Sequence, residues 1–252
     1  MIKLVNLTKY YRNFCAVDHV TLDIGGGQIF GFLGPNGAGK TTTIRMMAGI
    51  SQPTEGKIYI NGIDLAKEPS RAKYCTGFIP DRPFLYEKLT GDEFLRFLAG
   101  LYQLDHGTSF HDRITELLEL FELVHWRDEL IESYSHGMKQ RLVMCGALLH
   151  RPKVLIVDEP MVGLDPKGAR LVKDIFRNLA REGMTVFMST HSLEVAQEVC
   201  QEISIIQAGK IIATGKPEDL KRKAGVDGNL ESVFLKLTEG KTIAHERSLS
   251  TA

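Results

Sequence analysis

The segment Gly34-Pro35-Asn36-Gly37-Ala38-Gly39-Lys40-Thr41 follows an apolar run, opens a stretch of helical spacing and fits the GxxxxGK[ST] (Walker A) pattern. Such a loop suits a phosphate chain. Glycine lacks Cβ, so the backbone can turn tightly and lay successive N–H groups against phosphate oxygens. The helix that follows adds unpaired N–H groups and the positive end of its dipole. Lys40 offers a point charge to β- and γ-phosphates, and the Thr41 hydroxyl can ligate magnesium. An acidic counterpart stands at Val154-Leu155-Ile156-Val157-Asp158-Glu159, where two carboxylates end an apolar run. Asp158 would hold magnesium or its water, and Glu159 would polarise an attacking water as general base. Adjacent carboxylates at a strand end can be plain solvated loop residues. Beside the glycine loop, this pair supplies the two roles the loop lacks.

The elements that must position these groups can be read from periodicity. Strands are expected at Ile2 to Val5, Val17 to Ile24 and Gln28 to Leu33, with Gly25-Gly26-Gly27 separating the last two. Lys40 to Ile50 has helical spacing and stops at Ser51 to Pro53. Lys57 to Ile60 and Ile63 to Leu65 flank Asn61-Gly62, a dipeptide suited to a type I′ hairpin turn. From about Phe84 to Tyr134 the pattern turns helical: Phe94, Leu95, Leu98 and Leu101 share one face, and Ile114, Leu117, Leu118 and Phe121 another. Val154 to Val157 and Thr185 to Met188 are short apolar runs typical of buried parallel strands. Lys167 to Arg181 between them reads as a helix. Ile203 to Gln207 and Lys210 to Thr214 flank Ala208-Gly209 as a second hairpin. Ser135 is a good N-cap for helical periodicity over 136 to 149 (Met138, Leu142, Cys145, Leu149), so Ser135 and Gly137 mark a second helix N-terminus able to take an anion.

The 252 residues carry 31 basic and 31 acidic side chains, a balance that argues against electrostatic nucleic-acid binding. A chain of this size buries enough surface to fold without disulfides or a structural metal. The four cysteines, Cys15, Cys75, Cys145 and Cys200, show no CxxC spacing and suit a reducing compartment. The longest apolar run, Leu142 to Leu149, is far short of the roughly 18 residues that cross a bilayer. The N-terminus lacks the apolar stretch of a signal peptide. The expectation is a cytosolic αβ protein with a polar tail over 238–252.

Further motifs narrow the class. Tyr134-Ser135-His136-Gly137-Met138-Lys139-Gln140-Arg141 resembles the signature sequence of ATP-binding cassette (ABC) ATPases. Gly163-Leu164-Asp165-Pro166 resembles that family's D-loop, and Ser189-Thr190-His191 its switch histidine. Tyr11, followed by Ala16 and Val17, sits where the family stacks an aromatic ring on adenine. The resemblance runs over residues 2 to 237. It implies an α/β P-loop NTPase (RecA-like) core with a parallel sheet, an N-terminal antiparallel β subdomain and a helical subdomain (about 84–150) inserted between Walker A and the signature. It implies one cassette over 1–237. It also implies ATP and magnesium, with ATP on Tyr11, Val17, Gly34, Pro35, Asn36, Gly37, Ala38, Gly39, Lys40, Thr41 and Thr42. Glu159 and His191 would be catalytic. Ser135, His136, Gly137, Met138 and Asp165 would reach the ATP of a second subunit in a head-to-tail dimer.

Two positions depart from the family pattern. Asp81, in Phe78-Ile79-Pro80-Asp81, stands where a glutamine usually senses magnesium; a carboxylate can accept from a metal-bound water but donates nothing. His136 replaces the first signature glycine. The stretches 80–90 and 97–102 and the ending 230–237 resemble the branch that serves drug, lipid, polysaccharide and peptide exporters. Such a subunit pairs with a separate membrane-spanning permease, as a homodimer or heterodimer, on the cytoplasmic face of the cell membrane, with no direct membrane insertion. Phe84, Leu85, Tyr86 and Leu89 either line the groove that receives the permease or pack the helical subdomain. The alternatives are an ABC importer ATPase and a soluble ABC ATPase of the iron–sulfur assembly type. A GTPase would need Asn-Lys-x-Asp, which is absent.

Overall fold

The structure, a computed structural model, describes residues 1–82, 84–104, 108–225 and 230–236. A long hairpin comes first, β1 (Ile2–Tyr11) antiparallel to β2 (Phe14–Ile24), with Tyr11 paired to Phe14 beside the turn. Both strands run further than strict alternation predicts. Register shifts between Leu4 and Tyr10, with Asn6 and His19 at positive φ, put the pattern out of phase and hide the strands' outer halves. β1 also pairs with β4 (Glu55–Ile60), and β4 with β5 (Ile63–Asp64), giving a four-stranded antiparallel sheet. The turn between β4 and β5 has Asn61 at φ 50° and Gly62 at φ 80°, as a type I′ turn requires.

The second sheet has six strands in the order β10-β9-β3-β8-β7-β6. These are β3 (Ile29–Leu33), β6 (Thr76–Ile79), β7 (Val154–Asp158), β8 (Thr185–Thr190), β9 (Glu202–Gln207) and β10 (Lys210–Gly215). All are parallel to their neighbours except β10. β3, β7 and β8 are buried along their whole length because both faces are covered, which is why they read as apolar runs rather than alternations. On one face Phe30, Phe32 and Phe187 stack and pack toward α1 (Lys40–Met47) and the antiparallel sheet. On the other, Leu33, Val157 and Met188 meet the helices.

The helices of that second face are α3 (Gly91–Leu101), α4 (Thr108–Leu120), α5 (His136–Leu148), α6 (Pro166–Arg181) and α7 (Leu193–Val199). α3 starts in a capping box: Thr90 Oγ1 accepts from Glu93 N, and the Glu93 carboxylate accepts from Thr90 N. The chain leaves the sheet at the C-terminal end of β6, passes through α3, α4 and α5, and re-enters at the opposite edge, at the start of β7. α2 (Pro69–Tyr74), β6, α7, α8 (Pro217–Ala224) and a helical stretch over 230–236 do not stand out in the sequence pattern. β6 is four residues that include Thr76 and Gly77, too short and too mixed to show as an apolar run. The expected polar tail, 238–252, lies outside the described residues.

Candidate active site

Four neighbouring strands end on the same edge of the sheet, each followed by a residue singled out above. β3 leads into the glycine loop, β8 into His191, β7 ends at Asp158 with Glu159 next, and β6 leads through Pro80 to Asp81. Strands spaced about 4.8 Å apart thus bring residues distant in sequence to one place. A cavity of about 390 Å³ is lined by Asn36, Gly37, Gly39, Lys40, Thr41 and Thr42, by the acids Asp81, Asp158 and Glu159, and by Tyr11, Phe14 and Ala16.

The loop is built to hold an anion. Gly39 is the N-cap of α1 at φ 107°, and no side chain caps the helix. A Cβ at Gly39 would lie 2.6 Å from the Ala16 carbonyl oxygen, so only glycine permits both the turn and the close approach of the 16–17 segment. Lys40 is buried and donates from Nζ to the carbonyls of Gly34 at 2.7 Å and Pro35 at 3.2 Å. Burial lowers its pKa, while Glu159 and Asp158 act in the opposite direction. An ammonium so placed gains strongly from a phosphate that shares the pocket.

Asp158 is buried at the end of β7, in register with Ser189 of β8, whose hydroxyl donates to it; the Thr41 hydroxyl does the same. Burial pushes its carboxyl up, and the charges of Asp81 and Glu159 add to this, against the two hydroxyl bonds. A buried carboxylate beside a threonine hydroxyl and a second acid is an all-oxygen donor set. That set fits magnesium, which takes one or two carboxylates and completes its shell with phosphate and water. Magnesium bound there would neutralise charge on the β- and γ-phosphates.

Glu159 faces differently. Its Oε1 lies 2.9 Å from His191 Nδ1, and its backbone N–H donates to the Ser189 carbonyl at 3.1 Å. Glu159 holds φ at 52°, a left-handed conformation that costs a non-glycine residue roughly 1 kcal/mol or more. Such strain at a strand end commonly marks a functional side chain. A carboxylate oriented by an imidazole, beside a phosphate cradle, can hold and deprotonate a water.

Other expected residues are placed apart from this cavity. Val17 is fully buried beneath Gly39 and does not line it, whereas Ala16 and Phe14 do. Phe14 is missed by the sequence reading; its pairing with Tyr11 across a short turn puts both rings at the mouth. Ser135 caps α5, accepting from Met138 N at 3.3 Å, and is exposed, like His136. Ser135, His136, Gly137 and Met138 do not line the cavity, so within one chain the signature presents a separate helix N-terminus. Asp165 Oδ1 accepts from Gly168 N at 2.9 Å as the N-cap of α6.

The segment before the signature is strapped to the loop after Asp81. Ile131 N donates to Leu89 O at 2.9 Å and Glu132 N to Glu87 O at 3.0 Å, with ion pairs Lys88–Glu132 and Lys139–Glu87. In that loop Leu85 and Leu89 pack inward. Phe84 and Tyr86 are exposed and stack edge-on with each other and then with Phe97. Phe84 also borders a groove of about 350 Å³ with Phe78, Pro80, Phe94, Leu98 and Tyr102. Leu85 and Leu89 thus pack the helical subdomain, whereas Phe84 and Tyr86 stand outside its core.

Comparison with known proteins agrees with this geometry. The ABC transporter family model matches residues 17–162. The chain belongs to the ABC transporter family. The linearmycin resistance ATP-binding protein LnrL of Bacillus subtilis (strain 168) is 36% identical over 244 residues, covering 97% of this chain and 78% of that protein. The chain spans only 41% of the length of the longer curated relatives. A solved ATP binding subunit of an ABC transporter superposes with a TM-score of 0.88 at 32% identity, covering 94% of this chain and 99% of the other. The dimeric post-hydrolysis state of the ATP-binding cassette MJ0796 bound to ADP and Pi gives 0.79 at 28% identity, covering 86% and 98%. The fold is that of an ABC ATPase cassette. Among the described residues no helix is long and apolar enough to cross a membrane.

Proposed function

We propose that this chain is the ATP-binding and hydrolysing subunit of an ABC transporter of the exporting kind, with one cassette over 1–237. Asp158, Glu159 and Lys40 meeting in one cavity, with His191 on Glu159, carries this reading. ATP lies along the glycine loop with its base at Tyr11 and Phe14. Lys40 and the free N–H groups of α1 hold the phosphates. Asp158, Thr41 and, through water, Asp81 would hold magnesium. Glu159, oriented by His191, takes the proton of the attacking water.

The exposed N-terminus of α5, outside the cavity of its own chain, supports a sandwich in which Ser135 and its neighbours close on the ATP of a second copy. The dimeric MJ0796 cassette with ADP and Pi supports pairing of two copies. Export is supported by the resistance role named for LnrL. The exposed rings of Phe84 and Tyr86 beside the apolar groove support docking of a separate permease, with the cassette peripheral on the cytoplasmic face of the membrane.

The test is ATP turnover by the purified chain. Glu159→Gln should retain ATP binding and lower turnover by about 10²–10⁴-fold, the usual worth of a general base. Undiminished hydrolysis would overturn the assignment.

A further inference from the structure

The signature and the 163–165 loop come from distant parts of the sequence, yet they touch. A Cβ built on Gly163 would overlap His136 Cδ2 and stand 2.5 Å from its Nε2, so the imidazole edge rests directly on the Gly163 backbone. Gly163 has φ 79°. One residue on, a Cβ at Gly137 would meet Leu164 Cδ2 at 3.5 Å. A glycine in place of His136 would leave the space over Gly163 open.

We infer that His136 is a positioning residue: its ring locks the 163–165 loop to the N-terminus of α5, so that the two surfaces offered to the second nucleotide move as one body. The nucleotide part of this statement rests on the sandwich reading above; the contact itself does not. A side-chain link between these elements through Glu122 is weaker. Lys167, in the first turn of α6, pairs with Glu122 at 3.0 Å, and Glu122 lies 3.9 Å from Arg141 of α5. The Lys167 and Glu122 side chains are 77% and 47% exposed, and exposed pairs hold little in place. Packing of a ring on backbone is not screened by salt, so it is the firmer tie.

The experiment uses the full chain with His136→Gly, His136→Phe, Gly163→Ala and the His136→Gly/Gly163→Ala double variant. The first readout needs no nucleotide: hydrogen exchange of the Leu164 amide, which donates to Met161 O at 3.3 Å. His136→Gly should speed it about five- to tenfold, the size of a lost packing contact at a locally opening loop. His136→Phe, which keeps a planar ring, should stay near the parent rate. Gly163→Ala carries backbone strain in either background, but it clashes with a ring only where His136 is present. It should therefore speed exchange at least about threefold more in the parent than in the His136→Gly background, a coupling within the range for touching residues.

The second readout is the ATP concentration at half-maximal dimer formation, measured by light scattering in a Glu159→Gln background. His136→Gly should raise it several-fold. Equal Leu164 exchange in parent and His136→Gly, or additive effects in the double variant, would overturn the inference. If the Glu159→Gln chain forms no ATP-dependent dimer while the exchange results hold, the lock stands and the sandwich reading fails. If exchange changes but the ATP dependence does not, the role in nucleotide closure is refuted.

Discussion

Replacing Ser135 by aspartate separates two roles that the same hydroxyl serves. As an N-cap it accepts one hydrogen bond, from Met138 N at 3.3 Å, at an exposed helix start. Loss of such a cap costs about 0.5–1 kcal/mol at the weaker end of the measured range. For a domain of this size that is a fall of about 1–4 °C in Tm, and Ser135→Ala should show it. Aspartate caps as well as serine does and adds a favourable charge at the positive end of α5, worth about 0.3–1 kcal/mol. Ser135→Asp should therefore melt at or slightly above the parent temperature. Against a γ-phosphate the same carboxylate is repelled, and the anion site is filled by the protein's own charge. In a Glu159→Gln background, Ser135→Asp should abolish the ATP-dependent dimer expected on sizing chromatography, with ATP binding to the monomer unchanged. A Ser135→Asp chain that dimerises at the parent ATP concentration would refute the reasoning, because the α5 N-terminus would then face no nucleotide. A large Tm loss in Ser135→Asp would instead show that the cap geometry was misjudged.

The buried Asp158 gives a pH prediction. Its carboxyl is raised chiefly by burial, so the stability it contributes is present at low pH and is lost as pH rises through the folded value. Asp158→Asn, in EDTA, should match the parent in thermal unfolding near pH 4 and exceed it at pH 7 to 8; a less stable variant across the whole range would contradict the assignment. Phe14→Ala and Tyr11→Ala should each weaken ATP binding about five- to tenfold by calorimetry, the low end for base stacking because both rings are exposed. Unchanged affinity would remove that ring from the base site. Asp81→Gln takes one negative charge from the metal site and should raise the magnesium needed for half-maximal ATPase about three- to tenfold, the scale of a charge term near 1 kcal/mol in a wet site. An unchanged magnesium profile would leave Asp81 without a special role.

Much of the phosphate half of the site was legible because its chemistry is local. The glycine loop, Lys40 and Thr41 are contiguous, and their strand and helix flanks carry clean patterns. Asp158 and Glu159 end an apolar run that is apolar because both faces of β7 are covered. Ser189 as a partner of Asp158 was not legible, since it depends on the parallel register of β7 and β8. Phe14 was hidden by the shifts in β1 and β2, which break the alternation that would have placed it opposite Tyr11. The contact of His136 with Gly163 joins segments that no short-range pattern links. Asp165 was assigned to a distant nucleotide by resemblance, whereas its local bond to Gly168 N follows from the Asp-Pro helix start.

The path of the chain around the α3–α5 layer has a mechanical consequence. The layer hangs from the sheet by two stems at opposite edges: one leaves β6 at the catalytic edge, the other enters β7 at the far edge. The far stem is held fast, because Lys153 N and Val154 N both donate to Cys75 O. The near stem is the short stretch that carries Asp81. A swing of the layer about the far stem would therefore be felt most at the near stem, where Asp81 lines the cavity. Asp81 on the cavity wall and Phe84 on the groove are close neighbours in the chain, so a load on the groove would reach the cavity through that short span.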